Sequence, residues 1–244
     1  MTFANANADL PANRHELAAF IDLMVTTSEV TVAQVTELVE QAGEWGLNAC
    51  YVLSGRLPQA QAQLPMGALV SYPLGADDSL SKAFSARLAV DQGATEVCVV
   101  ADLGAIVAGE WNALMADLVT VREAAPAPVT LQIVVETPYL LTLPDGLDRI
   151  ARCCQIALAV GADMVVTGTG LHPAGGGTSV QAVRAMAESI GGQLGIKAMG
   201  GVSTAAQALE LMAAGATQLG CSQEEAAALL AGMPNEQPFA PLPR

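Results

Sequence analysis

Aromatic side chains make up only 4% of these 244 residues, and charged ones only 14%. Lysine occurs twice, at Lys82 and Lys197, and histidine twice, at His15 and His172. Each scarcity excludes something. Two distant histidines, with no HxH or HExxH pattern, do not supply the three ligands of a catalytic zinc, so no metal is expected. No GxGxxG follows the first apolar run, which weakens a dinucleotide reading, and no cofactor is expected. The five cysteines (Cys50, Cys98, Cys153, Cys154 and Cys221) form no CxxC pair. An odd set lying mostly in apolar runs reads as reduced thiols in a cytoplasmic protein. No apolar run approaches the roughly 18 residues of a membrane span. The opening segment MTFANANADLPANRHE has neither the basic region nor the apolar core of a secretory signal. Ten basic against twenty-four acidic side chains give a formal charge of −14. Such a field repels phosphate backbones and anionic membranes, so neither nucleic acid nor membrane is an expected partner.

What is present is apolar and small. Hydrophobic residues make up 52% of the chain, and Ala, Val, Leu and Gly are the residues that fill parallel strands and the helices packed on them. Apolar runs at 19–25, 47–53, 67–72, 95–102, 129–136, 163–167, 195–199 and 217–220 read as strands. They alternate with helical patterns, which argues for a parallel sheet with crossover helices. Thr31 with Gln34, Thr178 with Gln181, Thr204 with Gln207 and Ser222 with Glu225 have capping-box spacing at the expected helix starts, and Gly46 is a plausible helix stop. The length suits one α/β barrel, which takes about 250 residues. The expected fold is therefore a single (β/α)8 TIM barrel over 16–232, with an N-terminal extension over 1–15 and a tail over 233–244. A doubly wound open sheet is the competitor, because strand count alone does not prove closure.

The stretch from Gly161 to Ser222 narrows the field. It contains GADMVVTGTG, then KAMGG, then GATQLGCS, and in that order it resembles the deoxyribose-phosphate aldolase family, whose members carry GADFVKTSTG, KASGG and GAxRxGxS. Fainter similarity at Ile21-Asp22, at Tyr72 to Gly75, at Gly93 to Val97 and at Ile133 to Glu136 extends the resemblance over most of 16–226. It implies a class I aldolase in which a barrel lysine forms an imine with the donor carbonyl while a second lysine and acidic partners move protons. An iminium withdraws electrons from the adjacent carbon far better than a neutral carbonyl does. A dimer is common in the family, so a homodimer is the assembly that the resemblance suggests.

The departures from the family pattern fall on the chemistry. Where the family has its imine-forming lysine, this chain has Val166. Cys98 stands at the family's strand-four aspartate, with Asp102 four residues on; Gln132 replaces a strand-five lysine, and Tyr51 aligns with a strand-two cysteine. Lys197 matches the second catalytic lysine, on strand seven, and Lys82 is expected on a solvent-facing helix. The resemblance and the strand ends together make Lys197, Asp22, Asp102 and Glu136 the catalytic candidates. Lys197 would be the electrophilic anchor or proton donor, with Asp22 and Asp102 as its acid–base partners. In the plainer alternative Lys197 is ion-paired with Asp22 for structure, and Glu136 binds Lys197 or a backbone amide.

Substrate contacts are expected from Tyr51, Cys98, Val166, Thr167, Thr169, Gly170 and His172, and from Gly200, Gly201, Gly220 and Ser222. The last four lie where barrels bind anions, at backbone donors after strands seven and eight, or they are only tight turns. His172 is a candidate general acid or base or is simply loop, and Cys98 is a nucleophile only beside a cation that lowers its pKa.

These readings converge on a lyase acting on a small carbonyl compound, one that could carry an anionic group, by carbon–carbon bond chemistry or a related proton transfer or cyclisation. Deoxyribose-phosphate cleavage itself is not expected. The reading from another class is a non-catalytic paralogue that binds a metabolite or a protein partner.

Overall fold

A computed structural model of the chain describes residues 10–57, 64–172 and 177–235. Much of the expected extensions, 1–9 and 236–244, lies outside the described residues. Eight strands, β1 (Ile21–Val25), β2 (Ala49–Leu53), β3 (Met66–Val70), β4 (Glu96–Val100), β5 (Thr130–Val134), β6 (Met164–Val166), β7 (Gly195–Met199) and β8 (Gln218–Cys221), pair in sequence order and close into a barrel. Every pairing is parallel, including β8 with β1. Closure removes the open-sheet alternative.

The helices are α1 (Arg14–Ala18), α2 (Val32–Glu44), α3 (Ser79–Asp91), α4 (Leu103–Ala108), α5 (Trp111–Ala124), α6 (Thr137–Leu140), α7 (Gly146–Val160), α8 (Val180–Ile190), α9 (Ala205–Ala213) and α10 (Gln223–Ala231). The strand–helix alternation expected from the sequence holds among the described residues except in one connection, where 58–63 lie outside them. Between β2 and β3 the described residues form only the short turn Ser54–Arg56.

The strands are buried on both faces, which is why they read as apolar runs rather than as alternating ones. Outward residues such as Ile21, Leu23, Val97, Val99, Leu131, Ile133 and Leu219 pack in one large core beneath the helices. Inward residues form a second, smaller core: Met24, Ala49, Tyr51, Leu69, Cys98, Val100, Val134, Val166 and Met199. A barrel of this size is filled, so large inward side chains need small neighbours. Gly67 supplies one such space, since a Cβ there would lie 2.2 Å from the Tyr51 ring.

Two expected caps form complete capping boxes, Thr31 with Gln34 on α2 and Ser222 with Glu225 on α10. Thr204 caps α9, but the Gln207 side chain accepts from Ser203 N rather than from Thr204 N. The box expected at Thr178 is displaced by one residue: Ser179 caps α8 by accepting from Ala182 N. Gly46 has φ +73°, one residue beyond the α2 C-cap, and turns the chain toward β2.

Candidate active site at the barrel mouth

The C-terminal ends of β4, β5 and β6 open on a cavity of about 210 Å³, at the end of the barrel where such folds carry their sites. Val100 and Ala101 form its floor, Pro73, Leu74, Leu103 and Leu171 its walls, and Glu136, Thr169 and His172 its polar side.

Glu136 follows β5 in left-handed backbone (φ 55°), an unusual state for a side-chain-bearing residue. Its carboxylate turns back onto the β6 loop and accepts from Thr169 N at 3.1 Å and Thr169 Oγ1 at 2.8 Å. A side chain at 168 would block that turn, because a Cβ on Gly168 would lie 2.8 Å from Glu136 Oε1. Tyr72 donates to Thr169 O at 2.8 Å from the opposite side. Burial holds the Tyr72 phenol well above its ordinary pKa, so it remains a donor. The His172 ring lies against Tyr139, centroids 4.7 Å apart and tilted by 49°. The segment after it, 173–176, lies outside the described residues. Two loops, after β5 and after β6, therefore hold one carboxylate, one hydroxyl and one imidazole around a small apolar floor.

Lys197 is not part of that cavity. Its side chain lies inside the barrel, 0% exposed, with Nζ 2.7 Å from Asp22 Oδ2 and 3.6 Å from the centroid of the Tyr51 ring. Asn48 donates to Asp22 Oδ1 at 2.8 Å. The Tyr51 hydroxyl donates to Glu96 Oε2, and Gln132 Nε2 reaches Tyr51 Oη at 2.5 Å and Glu96 Oε2 at 3.0 Å. Desolvation raises the Glu96 carboxyl above its usual range, although Tyr51 and Lys197 pull it the other way. Tyr51 is raised as well, by burial first and then by the charges of Asp22 and Glu96. Val166, paired with Lys197 across β6 and β7, belongs to the apolar inward core with Met24, Val100, Val134 and Met199.

Several expectations change at this point. Lys82, expected to face solvent, is 1% exposed and paired with Asp117 of α5 at 2.7 Å, which locks α3 to its neighbour. Asp102 is the N-cap of α4, its Oδ1 accepting from Gly104 N and Ala105 N, so the carboxylate expected beside Lys197 serves a helix end instead. Glu136 binds a backbone amide, the second of its two expected uses. Thr167 Oγ1 donates to Met199 O at 3.0 Å and accepts from Met199 N at 3.0 Å, stitching β6 to β7. Cys98 is fully buried, and desolvation pushes its thiol up to about 12 despite Lys197, which removes the nucleophile reading.

Among the glycines expected at an anion site, Gly170 and Gly200 make a backbone contact in which either Cβ would clash, at 2.9 and 2.8 Å. Gly201 continues the same turn at φ +75°. Gly220 lies inside the barrel against Met199, a packing position. Ser222 N is bonded to the Glu225 carboxylate at 2.8 Å.

Sequence reasoning missed Glu96, Asn48 and the apolar walls Leu74, Leu103 and Leu171. A charged residue opening an otherwise apolar strand was the available signal for Glu96. Among the described residues no group of three or more His, Cys, Asp or Glu side chains could hold a metal ion, and no helix is long and apolar enough to cross a membrane.

A closed parallel (β/α)8 barrel with a small cavity at its C-terminal mouth is the architecture of a barrel enzyme acting on a small metabolite. Residues 17–233 match the DeoC/LacD family aldolase, and the chain belongs to that family. It is 46% identical over 230 residues to a deoxyribose-phosphate aldolase of Nocardia farcinica, covering 94% of this chain and 100% of the relative. It is 44% identical over 212 residues to one of Mycobacterium avium, covering 86% and 94%. In three dimensions it is similar to a deoxyribose phosphate aldolase of Aeropyrum pernix described as tetrameric (TM-score 0.77, 22% identity, 90% and 91% covered). It is similar also to the aldolase QR15 (TM-score 0.79, 24% identity, 88% and 94% covered). The chain is thus an aldolase-type enzyme of the lyase class with a small-molecule substrate.

Proposed function

We propose that this enzyme acts on a small carbonyl compound in the mouth cavity and does so without an imine on strand β6. The observation that carries the reading is Val166: the strand position at which the family resemblance calls for an amine holds an apolar side chain in the inward core. Imine chemistry needs a nitrogen that can reach the carbonyl carbon. Lys197, the other amine of the barrel, lies in the interior against Asp22 and takes no part in the cavity lining. Carbon–carbon cleavage or a related proton transfer then rests on groups that reach the cavity. Glu136 would take or return a proton, its carboxylate oriented by Thr169, and His172, three residues beyond Thr169 on the β6 loop, would be the matching acid or base. The Lys197–Asp22 pair supports the barrel beneath them and reaches substrate only if the apolar floor opens.

The test is borohydride reduction in the presence of acetaldehyde and of 2-deoxyribose 5-phosphate. No mass adduct is expected on the native protein, whereas Val166→Lys should become trappable at that position. An adduct mapped to Lys197 would return the chemistry to that lysine, and cleavage of the sugar phosphate at the rates of an ordinary family member would overturn the reading of Val166.

A second reading, a non-catalytic paralogue, is favoured by one observation: neither barrel position at which the resemblance calls for an amine brings one to the cavity, one being valine and the other held in a buried ion pair. It predicts ligand-induced stabilisation with no turnover of any aldehyde.

A further inference from the structure

The mouth cavity also carries information about what it takes. A phosphorylated substrate brings about two negative charges and needs donors or cations to replace its water. None of the described residues lining the cavity is a lysine or arginine, and the one carboxylate among them, Glu136, repels an anion. Eight of the ten lysines and arginines are engaged elsewhere; Arg184, on α8, is not among the residues lining the cavity, and Arg244 lies outside the described residues. Both lysines are in buried ion pairs. Arg87, Arg122 and Arg149 bind Asp91, Asp163 and Asp145, and Arg14, Arg56 and Arg152 bind Asn235, Val30 O and Gln155.

The helix starts after β7 and β8, the usual alternative donors, already spend part of their N–H groups on the chain's own side chains. On α10 the Glu225 carboxylate already accepts from Ser222 N at 2.8 Å, and Glu224 adds a second acid in the same turn. On α9 the Thr204 hydroxyl caps Gln207 N, and the Gln207 side chain accepts from Ser203 N at 3.0 Å. What the cavity does offer is hydrocarbon. Leu74 and Leu171 are 77% and 57% exposed at its rim, and Pro73, Leu103 and Val100 continue the surface inward.

From this we infer that the site selects an uncharged carbonyl compound with an apolar group, an aliphatic or aryl aldehyde or ketone, over a phosphorylated sugar. This rests on the proposed use of the mouth cavity and deepens it by naming the substrate class. Leu74, Leu171 and Leu103 would hold the apolar group, while the carbonyl end meets Glu136, Thr169 and His172.

Two readouts separate the substrate class from the activity. Thermal melts compare benzyl alcohol with inorganic phosphate, each against sodium chloride at matched ionic strength. Aldol addition of acetaldehyde compares hexanal with glyceraldehyde 3-phosphate as acceptor. Benzyl alcohol should raise Tm and phosphate should not. Hexanal should exceed the phosphorylated acceptor in kcat/KM by about tenfold or more, and Leu171→Arg, which adds a cation at the rim, should narrow that ratio by about tenfold.

Turnover that favours the phosphorylated acceptor, or phosphate protecting the native protein better than benzyl alcohol, overturns the substrate class while leaving the enzyme in place. Failure of both probes to shift the melt overturns it too. Stabilisation by benzyl alcohol with no turnover of either aldehyde upholds the substrate class and removes the catalytic reading instead.

Discussion

Lys197 carries a charge into the interior of the barrel and meets there one carboxylate, Asp22, and the face of one ring, Tyr51. A buried pair of this kind is costly to assemble and costlier to break, because deleting one member leaves the other charged and dry. Lys197→Ala and Asp22→Ala are each expected to lower the unfolding free energy by about 3–5 kcal/mol, whereas Lys197→Met with Asp22→Leu recovers most of that loss. Urea titration of the two single variants and the double variant measures it. A Lys197→Ala protein of native stability and lost turnover would instead make this lysine a chemical group. The cysteines at this scale are silent. All five are buried, and desolvation pushes Cys50, Cys98, Cys153 and Cys154 up to about 12 and Cys221 higher still. Iodoacetamide at neutral pH should therefore modify none of them in the native protein and all of them after denaturation. Rapid labelling of Cys98 in the native state would show that the barrel interior opens.

Helix ends show how a correct rule can land one residue away. Thr178 and Ser179 both begin a hydroxyl-x-x pattern, and the Gln181 side chain made Thr178 the better match on paper. Ser179 is the residue with extended backbone at the start of α8 (φ −134°, ψ 154°), while Thr178 spends its N–H on Gly200 O at 2.8 Å and leaves Oγ1 buried with no partner among the described residues. Ser179→Ala should then cost about 1 kcal/mol and Thr178→Val less than about 0.5 kcal/mol, a difference that thermal melts resolve. The strands were legible for a different reason. Burial on both faces leaves unbroken apolar runs, and all eight expected runs overlap observed strands with ends shifted by a few residues. The site was legible only in part. Glu136 and Thr169 stand at strand ends, where sequence position alone marks them. The engagement of Asp102 with its own helix and of Lys82 with Asp117 is set by packing between elements, which no local pattern records. Lys82 sits on a helix whose two sides are both apolar, with Leu80, Phe84 and Leu88 outside and Ala86 and Ala89 inside, so periodicity gave no direction.

For the molecule as a whole the governing quantity is the charge of −14. Like charges crowded on a compact body repel one another more in the folded than in the expanded state, so neutral pH and low salt are unfavourable conditions for this fold. Glu96 acts in the same direction. Its folded carboxyl is raised above the usual range, chiefly by desolvation, so the native state binds a proton more tightly than the unfolded chain does. Stability is therefore lost as pH rises from the ordinary carboxylate range through the raised value, and regained on acidification through the same window. Asp145 opposes this, but its carboxyl is held below the usual range by the Arg149 hydrogen bond, so what it contributes disappears only at lower pH, beneath that window. The melting temperature is accordingly expected to rise as pH is lowered from about 8 toward the ordinary carboxylate range at low ionic strength. Glu96→Gln should flatten part of that rise, because an amide keeps the acceptor for Tyr51 and loses the titration. Salt separates the two contributions. Raising ionic strength from about 10 mM to about 200 mM screens surface repulsion but reaches a buried group far less, so it should flatten the rise in wild type and leave a residual slope that Glu96→Gln abolishes. A melting temperature that falls steadily over this range, or a slope in Glu96→Gln identical to wild type at high salt, would place the pH response in groups other than Glu96.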